Sequence, residues 1–281
     1  MPGLTEQSPP HGLDANGAGA AFPPGAGPVA LVGSGEFLDV MVEVDRQLLA
    51  GRPSRAVFLP TAAAEEGDAT VQYWIDLGRS HFDRMGVEAV ALPVLDRDDA
   101  DRVDLAAGIA GAGLVYLSGG NPGYLAATLR GTRVWEAITA AWRAGSALAG
   151  CSAGACALTW LAEDVRARQA RGVSASGEQA APLDTHAAGP SGLALIPSLA
   201  VIPHYDRIVE WVPGITEEFL ARVPAGVTVV GVDEETAMIA SPDASGALSY
   251  RVAGRQSVWV VGRDGNKTEH SAPDVISSLT G

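Results

Sequence analysis

The stretch Ser146-Ala147-Leu148-Ala149-Gly150-Cys151-Ser152-Ala153-Gly154-Ala155 decides the fold. It opens with a short apolar run, passes through a serine set between small residues, and continues into a segment (Ala155 to Leu161) that reads as the start of a helix. A strand that turns sharply into a helix through G-x-S-x-G is a nucleophile elbow. The small neighbours let the chain bend tightly enough to expose the serine hydroxyl. The spacing therefore predicts a strand ending near Gly150, Ser152 at the turn, and a sheet whose carboxyl edge carries the chemistry.

The same unit recurs towards the N-terminus. Val29-Ala30-Leu31-Val32 ends at Gly33-Ser34-Gly35, and Arg55-Ala56-Val57-Phe58-Leu59 ends at Pro60. Val87 to Leu92 and Leu114-Val115-Tyr116-Leu117 complete four apolar runs ahead of the elbow strand. Helix-length segments separate them: Val40, Val44 and Leu48 at helical spacing, then Val71 to Met85, an acidic stretch near 99–110, and Val134 to Arg143. Alternating strand and helix means βαβ units, and runs that are apolar throughout mean strands buried on both faces. The expected fold class is α/β, a mostly parallel doubly wound sheet with helices on both faces. Later strands near 228–232, 238–239, 248–252 and 258–261 are expected to be partly antiparallel. Residues 1–27, rich in Pro, Gly and Ala, read as a disordered tail, and 28–281 as one α/β domain. Residues 163–192 read as a long polar loop beside the site.

Composition narrows the function. The 281 residues are 47% hydrophobic and 19% charged, enough to bury a large core. Thirty-three acidic against 19 basic residues give a formal charge of −14, which argues against nucleic acid and against an anionic membrane surface as partners. No run of eighteen apolar residues suggests a membrane span. The opening residues lack a basic segment followed by an apolar one, so no secretory signal is expected. The two cysteines, Cys151 and Cys156, read as small buried residues beside the elbow, not as a disulfide framework or a zinc site. A cytoplasmic protein without a metal is the expectation.

A serine attacks only when a base and oxyanion donors stand close by. The backbone N–H of Ala153, just past the elbow, is the first expected donor. Gly120, in Ser118-Gly119-Gly120-Asn121-Pro122 after the fourth strand, is the second. Among five histidines, His11 and His270 lie in or near the tails, His81 lies in a helix well before the elbow, and His186 lies in the polar loop. His204 follows Leu199-Ala200-Val201-Ile202-Pro203 and should sit at a strand end, so it is the expected base.

Three segments in order, Gly119-Gly120-Asn121-Pro122-Gly123-Tyr124-Leu125, Gly150 to Ala155 and Ile202-Pro203-His204-Tyr205, resemble the aspartyl dipeptidase (peptidase E) and cyanophycinase family of serine peptidases. That family shares its fold with class I glutamine amidotransferases, and the match runs from about Val29 to Val261. The resemblance implies a Ser152–His204 pair, no metal or organic cofactor and room for a homodimer, and it leaves the substrate open, a small peptide being expected and one carrying aspartate a candidate. It also implies an acid in the loop after the elbow helix. Asp164 is the first choice and Glu163 the next, both nearer the serine than the family pattern, with Glu178, Asp184 and Asp206 left open and a dyad as the alternative. Asn121 and Arg207 are the expected substrate contacts, Arg207 because the family favours acidic substrates. Asp233-Glu234-Glu235-Thr236 also resembles a family segment and reads as a structural turn beside the site.

Rival readings are a glutamine amidotransferase, which would need a cysteine where Ser152 stands, an esterase on an α/β-hydrolase sheet, and a ligand-binding protein without turnover.

Overall fold

Strand and helix alternate along the chain. The computed structural model describes residues 22–163, 189–243, 247–277 and 279. The strands are β1 (Val29–Val32), β2 (Arg55–Leu59), β3 (Glu88–Ala91), β4 (Leu114–Leu117) and β5 (Ala147–Cys151) in the first half. In the second half they are β6 (Leu199–Pro203), β7 (Thr228–Val232), β8 (Thr236–Pro242), β9 (Leu248–Gly254), β10 (Ser257–Val261), β11 (Lys267–Ser271) and β12 (Val275–Ile276). The helices among the described residues are α1 (Val42–Leu49), α2 (Asp68–Met85), α3 (Arg97–Ala100), α4 (Val103–Ala107), α5 (Pro122–Leu129), α6 (Arg133–Arg143), α7 (Ala153–Ala157), α8 (Tyr205–Trp211) and α9 (Ile215–Arg222).

These strands build two sheets. The larger has the order β12-β9-β8-β1-β5-β4-β2-β3. Its five N-terminal strands are parallel, and β8, β9 and β12 extend it antiparallel. The smaller has the order β11-β10-β7-β6, with β6 and β7 parallel. The expected α/β class and parallel core are present, and the strands expected to be partly antiparallel divide between the two sheets.

The alternation along β4 shows why these residues make a doubly covered sheet. Val115 and Leu117 join one apolar cluster with Leu125, Ile138 and Trp142 of α5 and α6. Leu114 and Tyr116 join the other with Leu48, Phe58 and Phe82, under α1 and α2. Successive side chains of a strand point to opposite faces, so a wholly apolar strand requires helices on both. The smaller sheet packs Ile202 and Val229 against Ile208 and Phe219 of α8 and α9.

Local signals set the helix ends. Asn121 caps α5 through its side chain, which accepts from Tyr124 N–H at 3.0 Å, with Pro122 in the first turn. The long α2 stops at Gly86 in the left-handed conformation. The acidic stretch expected as one helix near 99–110 is two short ones, α3 and α4. Residues 22–27, assigned from the sequence to a disordered tail, are docked. Phe22 meets Trp142 edge-on with ring centroids 5.0 Å apart, and Gly27 exchanges hydrogen bonds with the backbone and indole of Trp142. Residues 1–21 lie outside the described residues. No helix among the described residues is long and apolar enough to cross a membrane.

Candidate active site

Three loops meet at the carboxyl edge of the large sheet: 33–36 after β1, 118–121 after β4, and the elbow after β5. Ser152 sits between β5 and α7 with φ 49° and ψ −106°, a conformation that costs a non-glycine residue about 1–3 kcal/mol. The residues two positions to either side, Gly150 and Gly154, must be glycine because backbone packs against each of them. A Cβ on Gly150 would lie 2.4 Å from the Gly154 carbonyl carbon, and one on Gly154 would lie 2.3 Å from the Leu117 carbonyl oxygen. The expected helix to Leu161 is shorter, ending at Ala157.

The Ser152 hydroxyl lies 3.0 Å from Nε2 of His204. His204 stands between β6 and α8, itself in a left-handed conformation with φ 50°. Its Nδ1 lies 2.8 Å from Oε1 of Glu234. An imidazole that accepts from serine through Nε2 must carry its proton on Nδ1, so Nδ1–H donates to Glu234. Glu234 lies in the turn that leaves β7 in the small sheet and enters β8 in the large one. Its backbone N–H donates to Asp206 Oδ1 at 2.9 Å, while Gln256 Nε2 donates to Asp206 Oδ2 at 3.3 Å and to the Glu234 carbonyl at 3.1 Å. Beside it, Asp233 accepts from Ser257 N–H and from the Trp259 indole, and burial raises its pKa.

The structure therefore brings together Ser152 and His204 as expected, but puts Glu234 against the imidazole. Glu163 forms an ion pair with Arg222 instead. Asp164, Glu178, Asp184 and His186 lie outside the described residues. Asp206 orients the Glu234 turn through its backbone N–H. The segment 233–236, expected as a structural turn, thus supplies the carboxylate behind the histidine. The signal that could have found Glu234 is its place just after β7, a strand whose last four residues are buried, in a run of three acidic residues.

Gly120 stands where the second oxyanion donor is expected. Its φ is 138°, and a Cβ placed on it would lie 2.3 Å from the Ala62 carbonyl oxygen, so the position admits only glycine. Among the described residues no acceptor takes its N–H. Ala153, as the first residue of α7, has no intrahelical acceptor for its N–H. Asn121 lines the cavity but is already engaged: besides capping α5 it donates to Glu65 Oε2 at 2.9 Å. Arg207 is exposed, with its guanidinium 5.8 Å from the Trp211 ring, and does not line the cavity. Cys151 and Cys156 are both buried, and neither is in a disulfide among the described residues. His81 is also buried, paired at 2.7 Å with Asp45, whose pKa burial raises and His81 partly restores.

The cavity around Ser152 is about 520 Å³, large enough for a small ligand. One wall is apolar, with Leu38, Tyr73, Trp74 and Leu77. Among the described residues its charged lining is Glu36, Glu65, Glu66 and Glu163, with no lysine or arginine.

A strained serine at the head of a parallel sheet, joined through histidine to a carboxylate, defines the class of α/β proteins with a hydrolase-type triad. The model of peptidase family S51 matches residues 29–245, so the chain belongs to that family. It is 28% identical over 228 residues to cyanophycinases of Synechococcus elongatus and Thermosynechococcus vestitus, a match covering 78% of this chain and 62% of theirs. It thus spans less than two thirds of the length of those relatives. The crystal structure of a peptidase from an acI-B1 Actinobacterium superposes with a TM-score of 0.75 at 33% identity, over 90% of this chain and 97% of the other.

Proposed function

We propose that the protein is a serine peptidase that cleaves the amide bond of a small peptide through an acyl-enzyme. The observation that carries this reading is the continuous relay from Ser152 Oγ through both nitrogens of His204 to Glu234. His204 Nε2 takes the hydroxyl proton as Ser152 Oγ bonds to the scissile carbonyl carbon. The amides of Ala153 and Gly120 receive the oxyanion. When the intermediate collapses the C–N bond breaks, and His204 gives its proton to the departing nitrogen. Water then passes a proton to His204 and attacks the acyl carbon, and Ser152 leaves with that proton. Glu234 holds the tautomer and stabilises the imidazolium at each stage.

Membership of family S51 supports a peptidase, as does the likeness to a peptidase structure. On the substrate side, an aspartate side chain would meet the carboxylates of the described lining, and like charges in a partly dry site repel. The lining supports a peptide that presents an amino group or a basic or neutral side chain there. The test is amine release from dipeptides and β-aspartyl peptides with acidic, neutral and basic partners, comparing wild type with Ser152→Ala. Turnover of any member that disappears in the variant is expected. Turnover that survives Ser152→Ala would overturn the reading.

A further inference from the structure

Glu36 is 4% exposed, directly behind the nucleophile. Its Oε1 accepts from Gly119 N–H at 2.8 Å, and its Oε2 accepts from the Cys151 thiol at 2.7 Å. Burial, reinforced by the Glu36 charge, raises the Cys151 pKa well above the ordinary thiol range, so the sulfur keeps its proton and acts as donor. A buried carboxylate with so few donors is expensive compared with an apolar side chain of the same size. Its position gives a reason for it. Gly119 precedes Gly120, and Cys151 precedes Ser152, so one carboxylate binds the chain neighbour of an oxyanion donor and the chain neighbour of the nucleophile. The two segments are in contact: a Cβ on Gly119 would lie 3.0 Å from Glu36 Oε1 and 3.6 Å from Ser152 Cβ. With the Gly119 N–H engaged by Glu36, the next amide of the loop, that of Gly120, is the one left for substrate. Glu36 is itself held firmly. The following Phe37 is buried at φ 67° and packs against Phe58, Phe82 and Tyr116.

We propose that Glu36 is a positioning residue for the reaction, tying the Gly119–Gly120 loop to the elbow strand and so fixing the Gly120 amide relative to Ser152. This rests on the serine peptidase reading, and the experiment separates the two. A fluorophosphonate probe reports serine reactivity without a known substrate, because its phosphoryl oxygen must enter the oxyanion site as Ser152 displaces fluoride. The maximal modification rate and the probe's apparent affinity are measured separately for the full chain, Glu36→Gln and Glu36→Leu, alongside thermal unfolding. Gln keeps the volume and an acceptor for Gly119 N–H, so its rate should stay within several-fold of wild type. Leu removes the tether, and its rate should fall about 100-fold, the scale of one lost oxyanion donor, with affinity unchanged and unfolding still cooperative.

A folded Glu36→Leu that reacts at the wild-type rate would overturn the inference and leave the serine reading intact. So would equal losses in Gln and Leu accompanied by weakened affinity, the pattern of general distortion. If Glu36→Leu does not fold, Cys151→Ala removes one end of the tether at a buried small residue: a slowed maximal rate with unchanged affinity supports the inference, and an unchanged rate overturns it. Failure of the wild type to be modified at Ser152 would overturn the underlying reading and the inference together.

Discussion

At Ser152 the backbone stores strain so that a hydroxyl can face a histidine, and the value of that strain depends on the group behind the histidine. Glu234→Gln replaces a charged acceptor with an amide that cannot stabilise the imidazolium and presents its NH₂ or its carbonyl with equal ease. Turnover and probe modification should fall by about 10³–10⁴ with affinity nearly unchanged, as expected for loss of a triad carboxylate. Glu163→Gln should change the maximal rate at most a few-fold, since Glu163 is paired with Arg222. Steady-state or probe kinetics on the two variants checks both. The cysteine beside the nucleophile gives a pH-dependent prediction. Alkylation requires thiolate, and because burial raises the Cys151 pKa, the folded protein holds its proton at pH values where an unfolded chain would release it. Native protein should therefore leave Cys151 unmodified by iodoacetamide at about pH 8, near the ordinary thiol pKa, while the urea-unfolded chain reacts. Linkage has the same sign: the stability this thiol contributes is present below its unfolded pKa and is lost as pH rises towards the folded one. Rapid native alkylation of Cys151 would contradict the buried Glu36–Cys151 contact.

At the scale of elements, the elbow is a main-chain fit between β4, β5 and α7. Gly154→Ala drives a Cβ into the Leu117 carbonyl, where neither partner is a flexible side chain. Urea unfolding should show a loss of about 3 kcal/mol or more, the upper range for overpacking in a core, and a variant as stable as wild type would contradict the geometry. The parallel strands β1, β4 and β5 were legible because burial on both faces leaves an unbroken apolar run that few other structures tolerate. The elbow was legible for a related reason: glycines at both flanks of a serine record a steric demand. Helices with weaker amphipathic patterns were not. α8 and α9 follow His204 with mixed polar sequences, and α3 and α4 merge into one expected helix because an internal break near Asp101 carries neither glycine nor proline.

At the scale of the molecule, the triad exists because two sheets meet. Ser152 comes from the end of β5 in the large sheet and His204 from the end of β6 in the small one. Glu234 comes from the connection that crosses from one to the other. That crossing is why the acid was not legible. The family resemblance points to the loop after the elbow, and no local pattern records that a turn 82 positions beyond the serine returns to it. The N-terminal boundary was hidden for a similar reason, since one aromatic ring in a Pro- and Gly-rich stretch gives no periodic signal. Phe22→Ala should lower stability by about 3 kcal/mol through loss of the edge-on packing with Trp142, and denaturant unfolding with an unchanged midpoint would contradict that docking.

Peptide mass spectrometry of the intact chain after fluorophosphonate treatment tests the triad most directly. One adduct is expected, on Ser152, absent in Ser152→Ala and strongly slowed in His204→Gln and Glu234→Gln. An adduct on another residue, or one that forms on Ser152 at an undiminished rate without His204 and Glu234, would contradict the triad.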